Sequence, residues 1–520
     1  MPSVFPLSVA VEVSGLSPVT GYVLRLRVTN PWGLTTLVDL GSATTLPASG
    51  LAELYVDSLG SGNGSSPESA LPTIREALDI AGPGYTIWVR GGDGRAYDIT
   101  DESDTLPIPA TLEGLSIRAY DVTPGDGGRA LVSISDTYVV DGNRANIVSN
   151  RAANMTLSGL DFSFGTTSVG KQNVGSCSIL WTAAPFTTLE NCLLRMPQPT
   201  VYAGSGAASP LVICTSKEAT NFVVRGCEFR NTRCWGANHG YAPIKVKSNA
   251  LIACNVFSNV NATVTGQQAD LVYGKDTSCY NLTFVSNVVY GANDGGNLSA
   301  AFLFGLYPGP KSAEIAFNRF VAARDAPAQN NNGTITHRVN LTFGAQFAEA
   351  FSGKEATLVH HNTIIGGQSA FLFNDAQGNK RKNQFFSNLI LLDPNGTVLV
   401  ENVKDGTTAF SGGRTTSFID PSFLRNNAYT GDLTGGNATA LATYDLSGGL
   451  VIADNIALAA PPDFVCTNDI YSPDFYRYRS SRTDSLDLGV LGWRGENNEY
   501  PHWIGATRPL YPSAAMMILK

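Results

Sequence analysis

The sequence predicts an all-β chain whose short strands stack coil upon coil into a solenoid, and three observations predict it. First, phrases that alternate apolar and polar residues recur through the middle of the chain: LENCLL, IACNVF, FVSNVVY, IAFNRF, LVHHNTII and FFSNLIL. They are rich in Val, Ile, Phe and Thr and follow the two-residue period of a strand. Second, each carries an Asn ahead of a large apolar residue, at 191, 255, 287, 318, 362 and 388, and Leu160 and Cys227 fill the same slot in LSGLDF and VVRGCEF. Successive slots lie 31, 36, 28, 32, 31, 44 and 26 residues apart, a period near 30 with insertions of variable length, as a repeat architecture shows. Third, of 520 residues 43% are hydrophobic, only 15% are charged and 53 are Gly, a globular balance with many turns.

An Asn recurring at a bend suits a stacked solenoid. Its backbone tolerates the left-handed region, and its side-chain amide can bond to the equivalent amide one coil away. One coil cannot bury its apolar face alone, so stacking at about 4.8 Å per coil builds a continuous core. A β-sandwich or propeller is the competing arrangement, but propeller blades lack a single recurring phrase and usually carry aromatic signatures.

Taken in chain order, residues 1–52 read as a small β-rich attachment module, with VAVEVSG, YVLRLRVT and TTLVDLG as short strands separated by LSPVTG and NPWG turns. Residues 53–420 form the solenoid. It opens on LYVDSLGSGNGSSPESALPTIREALDIAGPGYTIWVRGG, Leu54 to Gly92, which contains a short amphipathic helix: Pro72 suits its first turn, Ile74, Ala77, Leu78 and Ala81 follow helical spacing, and Gly82 with Pro83 stops it. Such a helix covers the open apolar end of a solenoid. After Pro421 the repeat fades, and residues 421–520 form a C-terminal region, read as a cap or as an oligomerisation or binding surface. It holds Phe475, Tyr476, Tyr478, Trp493, Tyr500 and Trp503, and aromatics are enriched at such surfaces.

The opening segment resembles the start of right-handed parallel β-helix proteins of the pectin-lyase-like superfamily: a first strand, a Gly/Ser/Asn loop, a capping helix and the first coil strand. The resemblance covers roughly residues 54 to 420 and implies a right-handed parallel β-helix. It does not imply one reaction, because the superfamily includes lyases, hydrolases, epimerases and non-catalytic adhesins.

Bulk charge and cysteine usage bound the partners. A formal charge of -8, with KRK at Lys380 to Lys382 as the one basic run, argues against nucleic acid, which needs a concentrated basic face. No run of 18 apolar residues suggests a membrane span, and the first residues lack the basic and apolar regions of an export signal. The eight Cys show no CxxC spacing and read as buried free thiols of a chain made in a reducing compartment. No cofactor and no metal is expected.

Candidate chemistry centres on PIKVKS. Strand alternation turns Ile244 and Val246 inward and leaves Lys245 and Lys247 on the coil face. The phrase VKSNALIACNVF is similar to a coil of alginate and chondroitin lyases within the superfamily, and that resemblance implies Lys247 as the base that removes the proton alpha to a uronate carboxylate. This chain departs from the pattern: the next coil carries ADLVYGKDT where those enzymes have an Arg-His phrase. Carboxylate pairs offer the hydrolytic alternative, and among the acidic residues of the middle coils Asp270 and Asp276 join Lys247 as catalytic candidates. The carbohydrate-binding candidates are Trp235, His239, Lys245, Lys247, Tyr273 and Lys275. Of the His360–His361 pair on LVHHNT, His361 is expected in the turn and His360 exposed. GTTSVGKQ, Gly165 to Gln172, lacks the Ser/Thr and the helix of a phosphate loop.

The whole resembles a bacteriophage tailspike or related virion fibre. That implies a homotrimer that binds host surface polysaccharide, with or without depolymerising it, joins other virion proteins through its N-terminal module and resides in the virion. The alternatives are a bacterial polysaccharide lyase or glycoside hydrolase of the β-helix type, exported by a non-standard route, and a purely structural virion protein.

Overall fold

The computed structural model describes residues 21–29, 35–44, 53–135, 146–164, 178–195, 211–216, 218–230, 233–234, 244–246, 249–258, 261–262, 270–273, 282–292, 303–305, 313–323, 341–342, 356–366, 369–374, 382–392, 396–402, 422–433, 450–479 and 504–506. They form a right-handed parallel β-solenoid. Three long walls run its length: a sheet of 13 described strands from Glu53–Val56 to Leu450–Ala453, one of 12 from Ala96–Ile99 to Ile456–Ala457, and one of 7 from Leu106–Ile108 to Leu303–Gly305. A further sheet of 3, Leu341–Thr342, Ser369–Asn374 and Thr397–Asn402, lies beside the last strand of the third wall.

Register explains the core. In the 13-strand wall Leu54, Ile87, Ile117, Leu157, Leu189, Val224, Ile252, Phe284, Ile315, Val359, Phe385, Leu424 and Ile452 stand in one column. All but the last are buried, and Ile452 packs against them. The 12-strand wall contributes the facing column, in which Phe229 and Phe257 stack at 4.5 Å, and across the core its Phe320 meets Phe284 of the 13-strand wall at 6.2 Å. Successive coils therefore supply one or two apolar side chains per wall, and the two-residue strand period sends the residues between them outward.

The corner between these two walls carries the asparagines. Asn255, Asn287, Asn318, Asn362, Asn388, Asn427 and Asn455 form an unbroken ladder: each Nδ2 donates to the Oδ1 of the next at 2.9–3.1 Å. Each backbone N–H donates to that same oxygen, and each Nδ2 also donates to a carbonyl of the preceding coil, as Asn255 does to Val224 O at 3.1 Å. The expected roles of the Asn are divided between two residues. The left-handed bend falls on the residue before the ladder Asn, at Cys254, Ser286, Phe317, His361, Ser387, Asn426 and Asp454. Asn191 is one of these bend residues (φ 55°), so its place in the ladder slot is corrected: Cys192 stands there. Gly226 takes the bend in the next coil at φ 62°, where a Cβ would come within 2.7 Å of Asn191 Oδ1.

Three further expectations meet the structure. Helix α1 spans Ile74–Ile80 with Thr73 as N-cap, its side chain accepting from Glu76 N at 3.1 Å, so Pro72 precedes the cap rather than entering the first turn. Ile74, Ala77 and Leu78 are buried in the solenoid core, as an end cap requires. The coils do not stop at 420: Ser422–Arg425, Ala428–Thr430, Leu450–Ala453 and Ile456–Ala457 extend both long walls. Of the N-terminal module, Gly21–Thr29 and Thr35–Thr44 pair as an antiparallel hairpin, while VAVEVSG lies outside the described residues.

Beyond Ala457 the chain turns back over the outer face of the 12-strand wall. Phe475 is buried against Val288, Val321 and Tyr290, and Tyr478 is buried with Leu389, Leu391, Ala428 and Ile504. Arg319 donates from Nη2 to Pro473 O at 2.8 Å, and burial pushes its guanidinium down to about 10. These aromatics thus strap the chain to its own solenoid. Trp493, Tyr500 and Trp503 lie outside the described residues.

Candidate functional site

The sequence candidates converge on the 7-strand wall. There Leu106, Val148, Leu180, Ile213, Ile244 and Val272 form its inward column, all buried. The adjacent register positions, each one residue on, are Pro107, Ser149, Trp181, Cys214, Lys245, Tyr273 and Gly305. The wall thus aligns Lys245 with Tyr273 one coil on, and Asp270 begins the same strand as Tyr273. Ile244 and Val246 are buried as the alternation requires. Lys247, Asp276, Trp235, His239 and Lys275 lie outside the described residues.

Trp181 and Ser149 are among the residues of this column that the sequence does not single out. Trp181 is half-buried, and the guanidinium of exposed Arg151 sits 5.6 Å from its ring centroid, a cation–π contact that holds the ring. Ser149, half-buried, precedes Trp181 by one coil. A signal existed: SILWTAA alternates, and it places Trp181 at the parity opposite to Leu180.

His361 takes the bend as expected, and the exposure expected of His360 is corrected. His360 and His361 are both buried, their Nδ1 atoms 2.9 Å apart, so one ring donates and the other accepts. His360 Nε2 lies 3.2 Å from Glu314 Oε1, and that hydrogen bond holds the Glu314 carboxyl below its usual range despite burial. Phe386 stacks on His360 at 4.7 Å and Phe317 on His361 at 5.2 Å. The pair is enclosed by rings and sits inside the corner, where it serves packing. Among the described residues no group of three or more His, Cys, Asp or Glu is arranged to hold a metal ion.

A second polar cluster occupies the lower coils. Arg225 Nη2 bonds Glu190 at 2.6 Å and Arg118 reaches the same carboxylate at 3.2 Å. Around the corner Arg195 pairs with Asp161 at 3.1 Å, and Glu228 accepts from Arg230 and from the Tyr471 hydroxyl. Burial alone would raise Glu228, but the bonds from Arg230 and Tyr471 and the charges of Arg230 and Arg129 prevail and hold it below the usual carboxylate range.

No family model matches the chain, and no curated protein matches it. Among solved structures it is similar to pectate lyase Pel9A (12% identity, 88% of this chain and 96% of that one, TM-score 0.42) and to a rhamnogalacturonan lyase (12%, 87% and 99%, 0.44). It is also similar to the alginate lyase AlyF-OU02 (11%, 83% and 92%, 0.37). With identities this low and TM-scores below 0.5, the fold rests on the strand pairings themselves.

Proposed function

We propose that the chain binds polysaccharide, with the glycan lying along the outer face of the 7-strand wall. The carrying observation is the register column Ser149, Trp181, Cys214, Lys245 and Tyr273. It repeats a position at about 4.8 Å per coil, a spacing suited to a chain of linked rings. A half-buried indole gives a sugar a flat apolar surface, and ammonium groups suit acidic sugars.

The finer proposal is a tailspike-type virion protein, made in the host cytoplasm, trimeric, and anchored to other virion proteins through the N-terminal module. It is supported by the hairpin Gly21–Thr29 with Thr35–Thr44, whose strands pair only with each other among the described residues. Incubation with capsular or lipopolysaccharide preparations tests the function. Binding without product is the expected outcome for a receptor protein. New reducing ends, or absorbance from unsaturated uronates, identify a hydrolase or a lyase. Lys247→Ala with product formation undiminished removes the lyase role of that residue, and absence of any glycan binding overturns the proposal. A monomer by analytical ultracentrifugation removes the trimer.

A further inference from the structure

The outer face of the 12-strand wall carries a polar row separate from the 7-strand wall. Ser133, Ser163, Arg195, Arg230, Ser258 and Tyr290 occupy one register column on six successive coils, a length of about 24 Å at the strand spacing. All six are half-exposed. Arg195 and Arg230 are direct neighbours across the ladder, an arrangement that repels unless anions intervene.

Among the described residues the anions do not finish that task. Asp161 and Glu228 lie at the base of the row with side chains 15% and 10% exposed, while Arg195, Arg230 and Arg129 stand above them at 42%, 39% and 44%. Among the described residues three guanidinium groups thus face two carboxylates. The carboxylates orient the guanidinium groups and leave donors outward, and Nε of Arg195 is buried with no partner among the described residues. Asp126, the acid nearest to Arg129 in sequence, is turned into its own loop, where it accepts from the amides of Asp121, Val122, Thr123 and Gly128. Asp98, two coils below Ser163, closes the lower end of the row with negative charge. An aromatic ring completes the cationic end: Tyr471, 55% exposed, is pinned there by its hydroxyl bond to Glu228.

We propose that this row is a second glycan-binding surface, specific for acidic sugars, in which Arg195 and Arg230 grip carboxylate or sulfate groups and Tyr471 stacks on a ring. The inference rests on the polysaccharide function proposed above and adds the charge requirement and the place. Guanidinium groups fixed from below lose little freedom on binding and present planar donor pairs that match a carboxylate. A protein of net charge -8 otherwise repels acidic polymers, so such a ligand needs a local cationic seat.

Affinity electrophoresis of the full chain through polygalacturonate, chondroitin sulfate or neutral dextran, together with calorimetry against a DNA duplex, tests it. The expected result is retardation by the two acidic polymers that weakens with salt, with the double variant Arg195→Gln/Arg230→Gln binding about tenfold or more weakly. Tyr471→Ala should weaken binding less, and Arg75→Gln on the capping helix should leave it unchanged. If the glutamine variant loses cooperative thermal unfolding, Arg195→Lys/Arg230→Lys keeps the charges over Asp161 and Glu228, loses the planar fork, and should bind with an intermediate constant. Glycan binding indifferent to charge and to these arginines overturns this inference alone, and so does DNA bound as tightly as the acidic glycans. No glycan binding at all overturns the function proposed above as well.

Discussion

The same corner of the solenoid is held in two ways along its length. In the upper coils, from Asn255 to Asn455, buried amides bond coil to coil inside the turn, and outside it the chain end covers apolar residues such as Val288, Val321 and Leu391. In the lower coils the ladder slot holds Leu160, Cys192 and Cys227. The two thiols reach carbonyls of the preceding coil only at 3.8 and 3.6 Å, and burial pushes the Cys227 thiol up, keeping it neutral. There the bracing lies on the outer side of the wall, in ion pairs that join the largely buried carboxylates of Glu190, Asp161 and Glu228 to half-exposed arginines. A buried amide has no cheaper partner than its neighbour, whereas an ion pair whose cation stands half in solvent is screened on that side and contributes less. The lower coils keep an ionic outer surface, and that is where the polar row can meet a ligand.

The largest effect is expected in the upper coils. Asn318→Ala removes the acceptor of two buried donors, Asn287 N and Asn287 Nδ2; at about 1–3 kcal/mol for each orphaned group, the loss is roughly 2–6 kcal/mol in denaturant unfolding. Acid should discriminate between the regions with a smaller effect. Glu228 has a lowered folded pKa, so its contribution is complete above its unfolded value of about 4.3 and is lost as pH falls through the folded value. Hydrogen exchange at low pH should therefore quicken, relative to the intrinsic rate, around Glu228 and Tyr471, while the ladder amides, which do not titrate, keep their protection. The smallest effect comes from equalising the two regions. Cys227→Asn places an amide beneath Asn255, within reach of Leu189 O, and should raise stability by up to about 1 kcal/mol. A loss there would mean that the lower corner is shaped for sulfur.

Much of this fold was legible because a parallel coil repeats one physical problem. Each turn must bury apolar side chains on every wall, so the phrases around Asn255, Asn287, Asn318, Asn362 and Asn388 read alike. The ladder beyond 388 is not legible: Asn427 and Asn455 sit in FLRNNAYT and VIADNIAL, where the following residue is small or the phrase short, so the sequence pattern ends about one coil pair before the solenoid does. Asn191 was misplaced by one residue because an Asn is equally at home in the left-handed bend, and only the strand register separates the two positions. The site was less legible. Ile244 and Val246 follow from alternation, but the alignment of Lys245 with Tyr273 depends on the loop between them, whose length no period fixes. Glu228 and Tyr471 lie 243 residues apart, and their meeting depends on how the chain end folds back, which no local pattern records.

The ladder also has a direction. From Asn255 to Asn427 each ladder Asn gives its backbone N–H and one Nδ2–H to the Asn Oδ1 of the coil that follows it in the chain, and only its second Nδ2–H, bound to a backbone carbonyl, to the coil before. Shortening the protein from its C-terminal side therefore strands two amide protons at whichever corner becomes last, while shortening it from the N-terminal side of the ladder strands one, the Nδ2–H that met the lost carbonyl, and leaves an oxygen short of donors, the lesser penalty. During synthesis each corner waits for the next coil before it can close, so the growing end always presents an open pair of donors. The two ends of the stack are chemically unequal, and coil-by-coil winding gains a preferred sense of travel, from the helix-capped end toward the strap.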